Sequence, residues 1–206
     1  MYIPRFNQVT DRSLLVEAMR RYSFAIVFGP AIEGEDGPSM VTHLPLVVRD
    51  EGKHGVLEGH FARANPHWKS LGGRETLVVF SGPHSYVSPT LYTEELSVPT
   101  WNYIAVHAYG TLQLVEDDAG KERLLRGLME MHEPTYAAQW DKLPEGYRYT
   151  MLAGIVGFRI PIARIEGKFK ISQNRPEADR RNVQAAHAAG SPDERDLAEW
   201  MHRLGG

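Results

Sequence analysis

The most chemically capable stretch of the chain is residues 60–68, which read His-Phe-Ala-Arg-Ala-Asn-Pro-His-Trp directly after a β-like run. Arg63 offers forked N–H donors that match phosphate, and an exposed turn adds backbone amides. Asn65 and His67 add hydrogen-bonding side chains at the end of the predicted strand, where rigid scaffolds commonly hold ligands. The stretch therefore predicts an anion site, although a polar turn closed by Asn65-Pro66 explains the same residues.

Three other groups of residues could bind a ligand. Thr42 and His43 lie in an apolar strand and take opposite faces because side chains alternate, but such a histidine is more often structural. Trp101-Asn102-Tyr103 forms part of an aromatic face on which a flat conjugated ligand would stack, although core packing is the commoner role. Residues 168–175 combine three cations with three hydrogen-bonding side chains, which fits either a second wall of an anion site or a solvated strand end.

Composition and motifs exclude several classes of protein. The 206 residues carry a formal charge of -3, with 42% hydrophobic and 24% charged residues, which is typical of a globular chain and argues against broad nucleic-acid coating. The absence of cysteine excludes disulfides and thiolate sites. None of the HExxH, GxSxG and GxxxxGK[ST] motifs occurs, so we predict no metal site and assign no catalytic residue. Neither a signal sequence nor a membrane span is evident, which predicts a cytoplasmic protein.

The secondary-structure pattern predicts short antiparallel strands with helices between some of them and at the ends. A helix is expected from Thr10 or Asp11, and a last helix is marked by Ser191, Pro192 and Glu194 as a capping box, with Gly205-Gly206 after its end. The other predicted helices cover 119–132 and 136–140, with a short helical piece at 68–71. The predicted strands are 24–28, 39–48, 54–62, 75–80, 100–115 with a bend near Gly110, and 155–165.

Connections complete this prediction. A polar loop is expected through Gly34, Asp36, Gly37 and Pro38, and residues 81–89 are expected at an edge or in a loop because of their prolines. Residues 175–190 are expected to form a partly mobile connection. Six or seven strands without regular βαβ alternation favour a mainly β, antiparallel barrel with peripheral helices over a doubly wound sheet. We expect one domain over 1–206 with a C-terminal helical extension from about residue 176.

The chain resembles the PaiB-type family of FMN-binding negative transcriptional regulators, which has the flavin-binding split-barrel fold. The matching stretches follow the order of that family over most of the chain to about residue 175, and the final motif has Ile171 in place of the usual leucine. They are Met1-Tyr2-Ile3-Pro4 with Phe6, Thr42-His43-Leu44-Pro45-Leu46, residues 59–68, residues 79–89, residues 98–103 with Val106-His107, and residues 170–175.

The resemblance implies a homodimer that binds flavin mononucleotide (FMN) in a groove at the subunit interface. Phosphate and ribityl contacts would come from the turn Ala62-Arg63-Ala64-Asn65 and from His67 or Trp68. The residues Thr42, His43, Leu44 and Pro45 would lie beside the isoalloxazine ring. Other contacts would come from elsewhere on the barrel or from the partner, namely from Trp101, Asn102, Gln173 and Arg175.

Three functions are consistent with this resemblance. The first is an FMN-binding regulator, for which DNA is a weakly supported partner because no helix-turn-helix is evident and the charge is acidic. The second is a flavin-dependent oxidoreductase that uses a reduced nicotinamide and a small acceptor, with no GxGxxG loop to hold the nicotinamide. The third is a haem-handling split barrel with a histidine as axial ligand. The sequence does not decide whether the protein is an enzyme.

Overall fold

The computed structural model describes residues 1–30 and 39–204. The loop predicted through Gly34, Asp36, Gly37 and Pro38, and the final Gly205-Gly206, lie outside these residues. The chain divides into two compact units. The first unit comprises Met1–Leu15, Ser81–Val106 and Glu166–Gly206, and the second comprises Val16–Phe80 and His107–Ile165.

Antiparallel strands form the framework. Their order along the sheet is β3-β2-β6-β7-β9-β5-β4, with β1 and β8 each paired to β9. Strands β6, β7 and β9 are long and contribute residues to both units. The strands are β1 (Gln8–Val9), β2 (Phe24–Gly29), β3 (Met40–Pro45), β4 (Val47–Arg49), β5 (Val56–Ala62), β6 (Glu75–Val87), β7 (Thr100–Thr111), β8 (Gln113–Val115) and β9 (Ile155–Lys170).

Helices accompany these strands, which confirms the predicted mainly β class with peripheral helices. They are α1 (Arg12–Arg21), α2 (His67–Leu71), α3 (Asp118–His132), α4 (Tyr136–Lys142), α5 (Glu145–Ala153), α6 (Glu177–Ala188) and α7 (Pro192–Leu204). Asp11 accepts from the backbone N–H of Ser13 at 2.7 Å, so it caps α1 as expected. The predicted capping box of α7 is also present, since Glu194 N donates to Ser191 Oγ at 3.3 Å and Ser191 N to Glu194 Oε2 at 2.7 Å.

The core of the second unit lies between β5, β9 and the elements that cover them. Phe61 and Phe158 are fully buried and pack with ring centroids 4.9 Å apart. Gly59 pairs with Phe158 across the two strands, and a Cβ there would lie 2.6 Å from Leu46 Cδ2. The sheet therefore requires glycine at this point. Because this packing fixes the end of β5, it also fixes the turn that follows at residues 62–68.

The core of the first unit is built on the end of β9 and on α7. Phe169 and Trp200 are fully buried and meet edge to face at 5.2 Å. Leu197 and Met201 complete the buried stripe of α7. This packing anchors the last residues of β9, which lead into the turn at 171–175.

The structure differs from the sequence prediction in four segments. Residues 81–87 continue β6 instead of forming a loop, because their side chains keep alternating between buried and exposed faces. The expected mobile connection contains α6, whose good helix formers follow Pro176 and whose first turn carries Glu177 and Asp179. Helix α5 was not predicted, and β9 runs five residues further than expected, to Lys170.

Candidate functional site

Three polar side chains of the second unit form what we call the Thr42 cluster, made of Thr42, Asn65 and His67. Thr42 Oγ1 lies 2.8 Å from His67 Nδ1 and accepts from Asn65 Nδ2 at 3.1 Å. Asn65 Oδ1 accepts from the backbone N–H of His67 at 3.0 Å and so caps the first turn of α2. These hydrogen bonds join the three residues and connect β3 to the turn after β5.

His67 is the buried centre of this cluster. Its side chain has no exposed surface, and its Nε2 has no partner among the described residues. Burial lowers the pKa of His67 below the usual 6.5, because the charged ring would lose its hydration. The ring packs against Gly29, where a Cβ would lie 2.6 Å from Nε2. His67 is therefore a neutral side chain in a closely packed pocket near neutral pH.

Arg63, the expected phosphate ligand, points its guanidinium at backbone carbonyls of its own unit. Its Nε donates to Ala153 O at 2.8 Å and its Nη2 to Ile155 O at 3.0 Å, while its backbone N–H donates to Gly154 O. Trp68 Nε1 in turn donates to Arg63 O at 3.2 Å. The turn is thus held to the junction of α5 and β9, and Arg63 remains exposed.

The neighbouring predicted residues vary in exposure. Ala62 and Ala64 are exposed in the turn, and Ala62 O accepts from Asn65 N at 2.9 Å. His43 is exposed on β3 and stacks on Phe24 at 6.1 Å. Leu44 and Pro45 are half-buried on the same strand. The structure thus brings Thr42, Asn65 and His67 together and leaves His43 on the opposite face, as the strand pattern predicted.

A cleft of about 330 Å³ lies within the first unit, and we call it the cationic cleft. Its basic residues are Lys168, Lys170 and Arg175, and the described residues that line it include no acid. It is lined by Tyr2, Pro4, Phe6, Asn7, Tyr92, Val98, Pro99, Thr100, Asn102, Tyr103, Lys168, Lys170, Ser172, Asn174 and Arg175. Its volume lies within the usual range for small-molecule sites.

The cations of this cleft are held by neutral groups. Lys168 Nζ donates to Tyr2 O at 3.1 Å and lies over the rings of Tyr2 and Tyr103 at 5.4 and 5.3 Å. Lys170 Nζ donates to Thr100 Oγ1 and to Trp101 O, and Arg175 stacks on the ring of Tyr92 at 3.9 Å. Burial, followed by the charges of Lys168 and Arg175, lowers the pKa of Lys170. An anion in the cleft would relieve this repulsion.

Two polar atoms of the same cleft have no partner among the described residues. They are Asn7 Oδ1 and Tyr92 Oη, and both atoms are buried. Buried polar groups nearly always have hydrogen-bond partners in native structures. An acceptor and a hydroxyl that both lack one, beside three cations, therefore fit a ligand that carries hydroxyl groups as well as negative charge.

The expected residues of the first unit lie in or near this cleft. Asn102 is fully buried and hydrogen-bonds Ser172, whereas Trp101 is 52% exposed beside His84 and Tyr86. Gln173 uses its side chain on the backbone of its own turn, accepting from Ile171 N at 2.8 Å and donating to Phe169 O. Of the four expected residues, Arg175 offers the charge that an anion requires.

The sequence marked residues 168–175 as a candidate wall of an anion site but did not single out Lys168 and Lys170 as cofactor contacts, and it gave no indication of Asn7 and Tyr92. The two lysines are two residues apart on β9, and this spacing puts them on one face of a strand. Extending the strand from residue 165 to Lys170 would have revealed that pairing. The sequence carries no comparable signal for Asn7 and Tyr92, which become cleft residues only through the folding of distant segments.

Antiparallel strands without βαβ alternation, accompanied by peripheral helices, define a split-barrel class of protein. The chain belongs to the family described as "Putative FMN-binding domain", whose model matches residues 1–164. It is 38% identical over 205 residues to the "Protease synthase and sporulation protein PAI 2" of Bacillus subtilis, covering 98% of this chain and 96% of the relative. These matches confirm the predicted PaiB-type family and FMN as its cofactor.

Solved structures show the same fold. The flavocytochrome Anf3 from Azotobacter vinelandii matches with a TM-score of 0.60 at 19% identity, covering 82% of this chain and 72% of that one. The conserved hypothetical protein Rv2991 from Mycobacterium tuberculosis matches with a TM-score of 0.60 at 13% identity, covering 86% of this chain and 95% of that one. The predicted split-barrel fold is therefore confirmed, and at these identities the likeness concerns the fold alone.

Within residues 1–30 and 39–204, no group of three or more His, Asp or Glu side chains is arranged to hold a metal ion. Over the same part of the chain, no helix combines the length and the apolar character that crossing a membrane requires.

Proposed function

We propose that this FMN-binding protein holds the phosphate of the cofactor in the cationic cleft of the first unit. The observation that carries the proposal is the charge of the cleft, where Lys168, Lys170 and Arg175 meet no acidic side chain among the described lining residues. A phosphate dianion offers several acceptor oxygens, which suit a forked guanidinium and two ammonium groups. The lowered pKa of Lys170 supports the proposal, because a bound anion would favour its charged form.

The uncharged part of the cleft suits the ribityl chain of FMN. A ribityl hydroxyl can donate to Asn7 Oδ1 and another can pair with Tyr92 Oη, the two buried atoms that lack partners. When bound, FMN supplies an isoalloxazine ring that can accept and release electrons. In this proposal Lys168, Lys170 and Arg175 bind the phosphate, while Asn7 and Tyr92 orient the chain.

The predicted contacts of the second unit take a modified role in this proposal. For the exposed residues His43, Ala62 and Ala64, and for Leu44, Pro45 and Trp68, we propose no contact with the phosphate in the cationic cleft. Arg63 holds its turn by donating to the carbonyls of Ala153 and Ile155, and we propose no phosphate contact for it. Thr42, Asn65 and His67 position the same turn through their mutual hydrogen bonds.

A homodimer with FMN at the subunit interface remains part of the proposal. It is supported by large apolar side chains that the first unit exposes, among them Leu96 at 97%, Val98 at 71% and Trp101 at 52%. Exposed apolar surface of this kind commonly marks an association site. Light scattering after gel filtration measures the mass directly, and a single-chain mass of 23.2 kDa at micromolar concentration would contradict the dimer.

For its role in the cell, we propose that the protein is a regulator in the cytoplasm. This proposal is supported by the name of the Bacillus subtilis relative, which connects that protein with protease synthesis and sporulation. Direct regulation requires salt-sensitive binding of a specific promoter fragment. Equal affinity for that fragment and for random DNA of the same length would leave FMN binding as the function and remove DNA as a partner.

The phosphate assignment is tested by comparing FMN with riboflavin, which lacks only the phosphate. We expect Lys170→Ala and Arg175→Ala each to weaken FMN about 10- to 100-fold, because each removes a charge-assisted hydrogen bond. Riboflavin affinity should change by less than about threefold, within the loss of a weak contact. Fluorescence titration or calorimetry measures both constants.

Arg123→Ala is the matched control for these variants. Arg123 is an exposed arginine of α3 in the second unit, so its removal changes the net charge equally without touching the cleft. FMN affinity should stay at the wild-type value in this variant. A parallel loss of FMN and riboflavin in the cleft variants, or an equal loss in Arg123→Ala, would contradict the assignment.

A further inference from the structure

Ser172 has an unusual backbone conformation at the edge of the cationic cleft. Among the described residues it is the non-glycine residue with a positive φ, at 67°. A side chain disfavours this left-handed region, which glycine adopts without steric cost. Non-glycine residues in this region persist where surrounding contacts hold them, and they concentrate at functional sites.

Asn102 holds Ser172 from a distant point of the chain. Asn102 Nδ2 lies 3.0 Å from Ser172 Oγ, and Ser172 Oγ lies 3.1 Å from Asn102 Oδ1. Both residues are buried, with exposures of 0% and 4%, and they are 70 residues apart. A hydrogen bond of this kind gains from the exclusion of water and fixes the hydroxyl in one position. The hydrogen bond between Asn102 and Ser172 thus fixes the start of the turn at residues 171–175 against β7.

The rest of the turn is held by its own backbone and by Gln173. Arg175 N donates to Ser172 O at 3.0 Å, which closes the turn. Gln173 Oε1 accepts from Ile171 N at 2.8 Å, and its Nε2 donates to Phe169 O. These bonds occupy the side chain of Gln173 within the turn. Its role is to shape the backbone that links Lys170 to Arg175.

The turn sets the position of Arg175 relative to Lys170. Arg175 emerges at its end and stacks on Tyr92, while Lys170 precedes it on β9 and is fixed by Thr100 and Trp101. A phosphate that bonds both cations requires them at a set separation. A turn that already has the required shape lowers the ordering cost of binding.

We infer that Ser172 is a positioning residue, which Asn102 locks in a left-handed conformation so that Lys170 and Arg175 are preorganised for a phosphate group. Asn102 and Gln173 act through the turn and do not touch FMN. The inference rests on the proposed function, because it assumes that the cleft binds the phosphate of FMN.

Two substitutions of Ser172 separate the contribution of its backbone conformation to FMN affinity from the contribution of its hydroxyl. Ser172→Ala removes the hydrogen bond and keeps a Cβ in the left-handed region, so the turn should relax and FMN should bind about tenfold more weakly. Ser172→Gly also removes the hydroxyl but adopts the same φ without strain, so the loss should be only about threefold. Riboflavin affinity should remain at the wild-type value in both variants.

Each alternative predicts a different pattern of affinities. If the hydroxyl contacted FMN directly, the glycine and alanine variants would lose FMN equally, which would overturn the inference. An unchanged FMN affinity in both variants would overturn it as well. A parallel loss of FMN and riboflavin would assign Ser172 to packing alone. If Ser172→Ala does not fold, a selective loss of FMN in Ser172→Gly is still required.

Asn102→Ala and the double variant Ser172→Ala/Asn102→Ala test the coupling. If Asn102 acts through Ser172, the losses of the two single variants should not add. The double variant should then have the same FMN affinity as whichever single variant binds FMN less tightly. Additive losses would give Asn102 a separate contact and overturn its assigned role. Ser85→Ala is the matched control, because Ser85 is a buried serine of the same unit that bonds Glu194 and lies outside the cleft. It should alter stability without changing the ratio of FMN to riboflavin affinity.

Failure of the inference differs from failure of the proposed function. If Lys170→Ala and Arg175→Ala lose FMN selectively while the Ser172 variants bind normally, the cleft binds phosphate and only the positioning role is wrong. If the lysine and arginine variants show no selective loss, the phosphate lies elsewhere, and both statements are wrong.

Discussion

The Thr42 cluster and the cationic cleft are both polar regions that the sequence marks, but their hydrogen bonds go to different places. In the cluster, Thr42, Asn65 and His67 bond one another and the start of α2. In the cleft, three cations lie close to one another, and Asn7 Oδ1 and Tyr92 Oη have no partner among the described residues. The cluster also has one unpartnered buried atom, His67 Nε2, but this atom is packed against Gly29, whereas Asn7 and Tyr92 line an open cleft. Groups that mostly bond one another in a packed region stabilise the fold, whereas unpaired buried groups of cleft-lining residues are suited to a ligand.

The same difference appears in the two perturbed pKa values. The pKa of His67 is lowered by burial alone, so this side chain stays neutral and needs no counter-charge. The pKa of Lys170 is lowered by burial and then by the like charges of Lys168 and Arg175. Repulsion between the cations costs free energy, and a bound anion would remove that cost. The comparison therefore predicts that substitutions affect stability in the cluster and binding in the cleft.

The largest expected effect that tests this contrast is on stability. His67→Ala empties a fully buried position and removes the partner of Thr42, so it should lower the free energy of unfolding by about 2–4 kcal/mol. Lys170→Met should change the free energy of unfolding by about 1 kcal/mol or less, because lost hydrogen bonds are offset by relief of repulsion. Urea denaturation of the FMN-free protein measures both values.

Two outcomes would contradict this contrast between a stabilising cluster and a ligand-binding cleft. An equal loss of stability in Lys170→Met would show that the cations of the cleft hold the fold, and unchanged stability in His67→Ala would show that the cluster does not. Thr42→Val serves as the control within the cluster, since it keeps the shape of the side chain while removing the hydroxyl. Its loss should be smaller than that of His67→Ala, about 1–2 kcal/mol, because it leaves no cavity and removes only the bonds to His67 and Asn65.

The sequence predicted the order of the strands along the chain better than the lengths of the elements. Apolar runs bounded by turn signals located β2, β3 and β5, an alternating pattern located β9, and the capping box located α7. Helix α6 was missed because its alanine-rich sequence has little apolar periodicity, although Val183 and Asp179 are buried. Burial of this helix depends on tertiary contacts such as the bond from Thr93 N to Asp179 Oδ1 at 2.7 Å.

For the candidate site, the sequence identified residue types but not their partners. It indicated that Arg63 is suited to phosphate, yet the carbonyls that Arg63 reaches belong to residues 90 and 92 positions later. It also marked residues 168–175 as a second cationic wall without revealing Asn7 and Tyr92, which the fold brings to the cleft from other segments. Side-chain types are local properties of a sequence, whereas unpaired buried atoms arise only from tertiary structure.

A smaller effect, expected for Arg63→Ala, sharpens the contrast between the two arginines. Because Arg63 donates to the carbonyls of Ala153 and Ile155, its loss should lower the free energy of unfolding by about 1–2 kcal/mol, as for two partly exposed hydrogen bonds. FMN and riboflavin affinities should fall together or not at all, unlike in Arg175→Ala. A loss restricted to FMN would make Arg63 a phosphate ligand, as its residue type first suggested, and would weaken the distinction between the two regions.

The smallest expected effects concern pH. Stability should fall on the acid side of neutrality because of His67, and FMN affinity should fall on the alkaline side because of Lys170. The folded-state pKa of His67 lies below the unfolded value of 6.5, so the unfolded chain binds a proton more readily. The stability contributed by neutral His67 is therefore present above pH 6.5 and is lost as the pH falls below it. The slope is at most about 1.4 kcal/mol per pH unit for each such histidine. His60 and His187, whose pKa values burial also lowers, add in the same direction.

Denaturation at pH 5.5 and 7.5 measures this loss, and His67→Gln isolates the contribution of His67 because its amide does not titrate. The difference between the two pH values should be smaller in His67→Gln than in the wild type. An unchanged difference would assign the acid sensitivity to His60 and His187 and would leave the Thr42 cluster without a role in it.

For the cleft, the sign is reversed because the charged form of Lys170 binds FMN. Its folded-state pKa lies below the usual 10.5, so FMN affinity should be full below that lowered value and should fall as the pH rises through it. Lys170→Arg keeps its charge over this range, because guanidinium does not deprotonate in proteins, and should remove the alkaline decline. Titration of FMN between pH 7 and 10 measures the effect. If the arginine variant loses FMN over the same interval as the wild type, the decline belongs to another group, and Lys170 does not bind the phosphate as an ammonium ion.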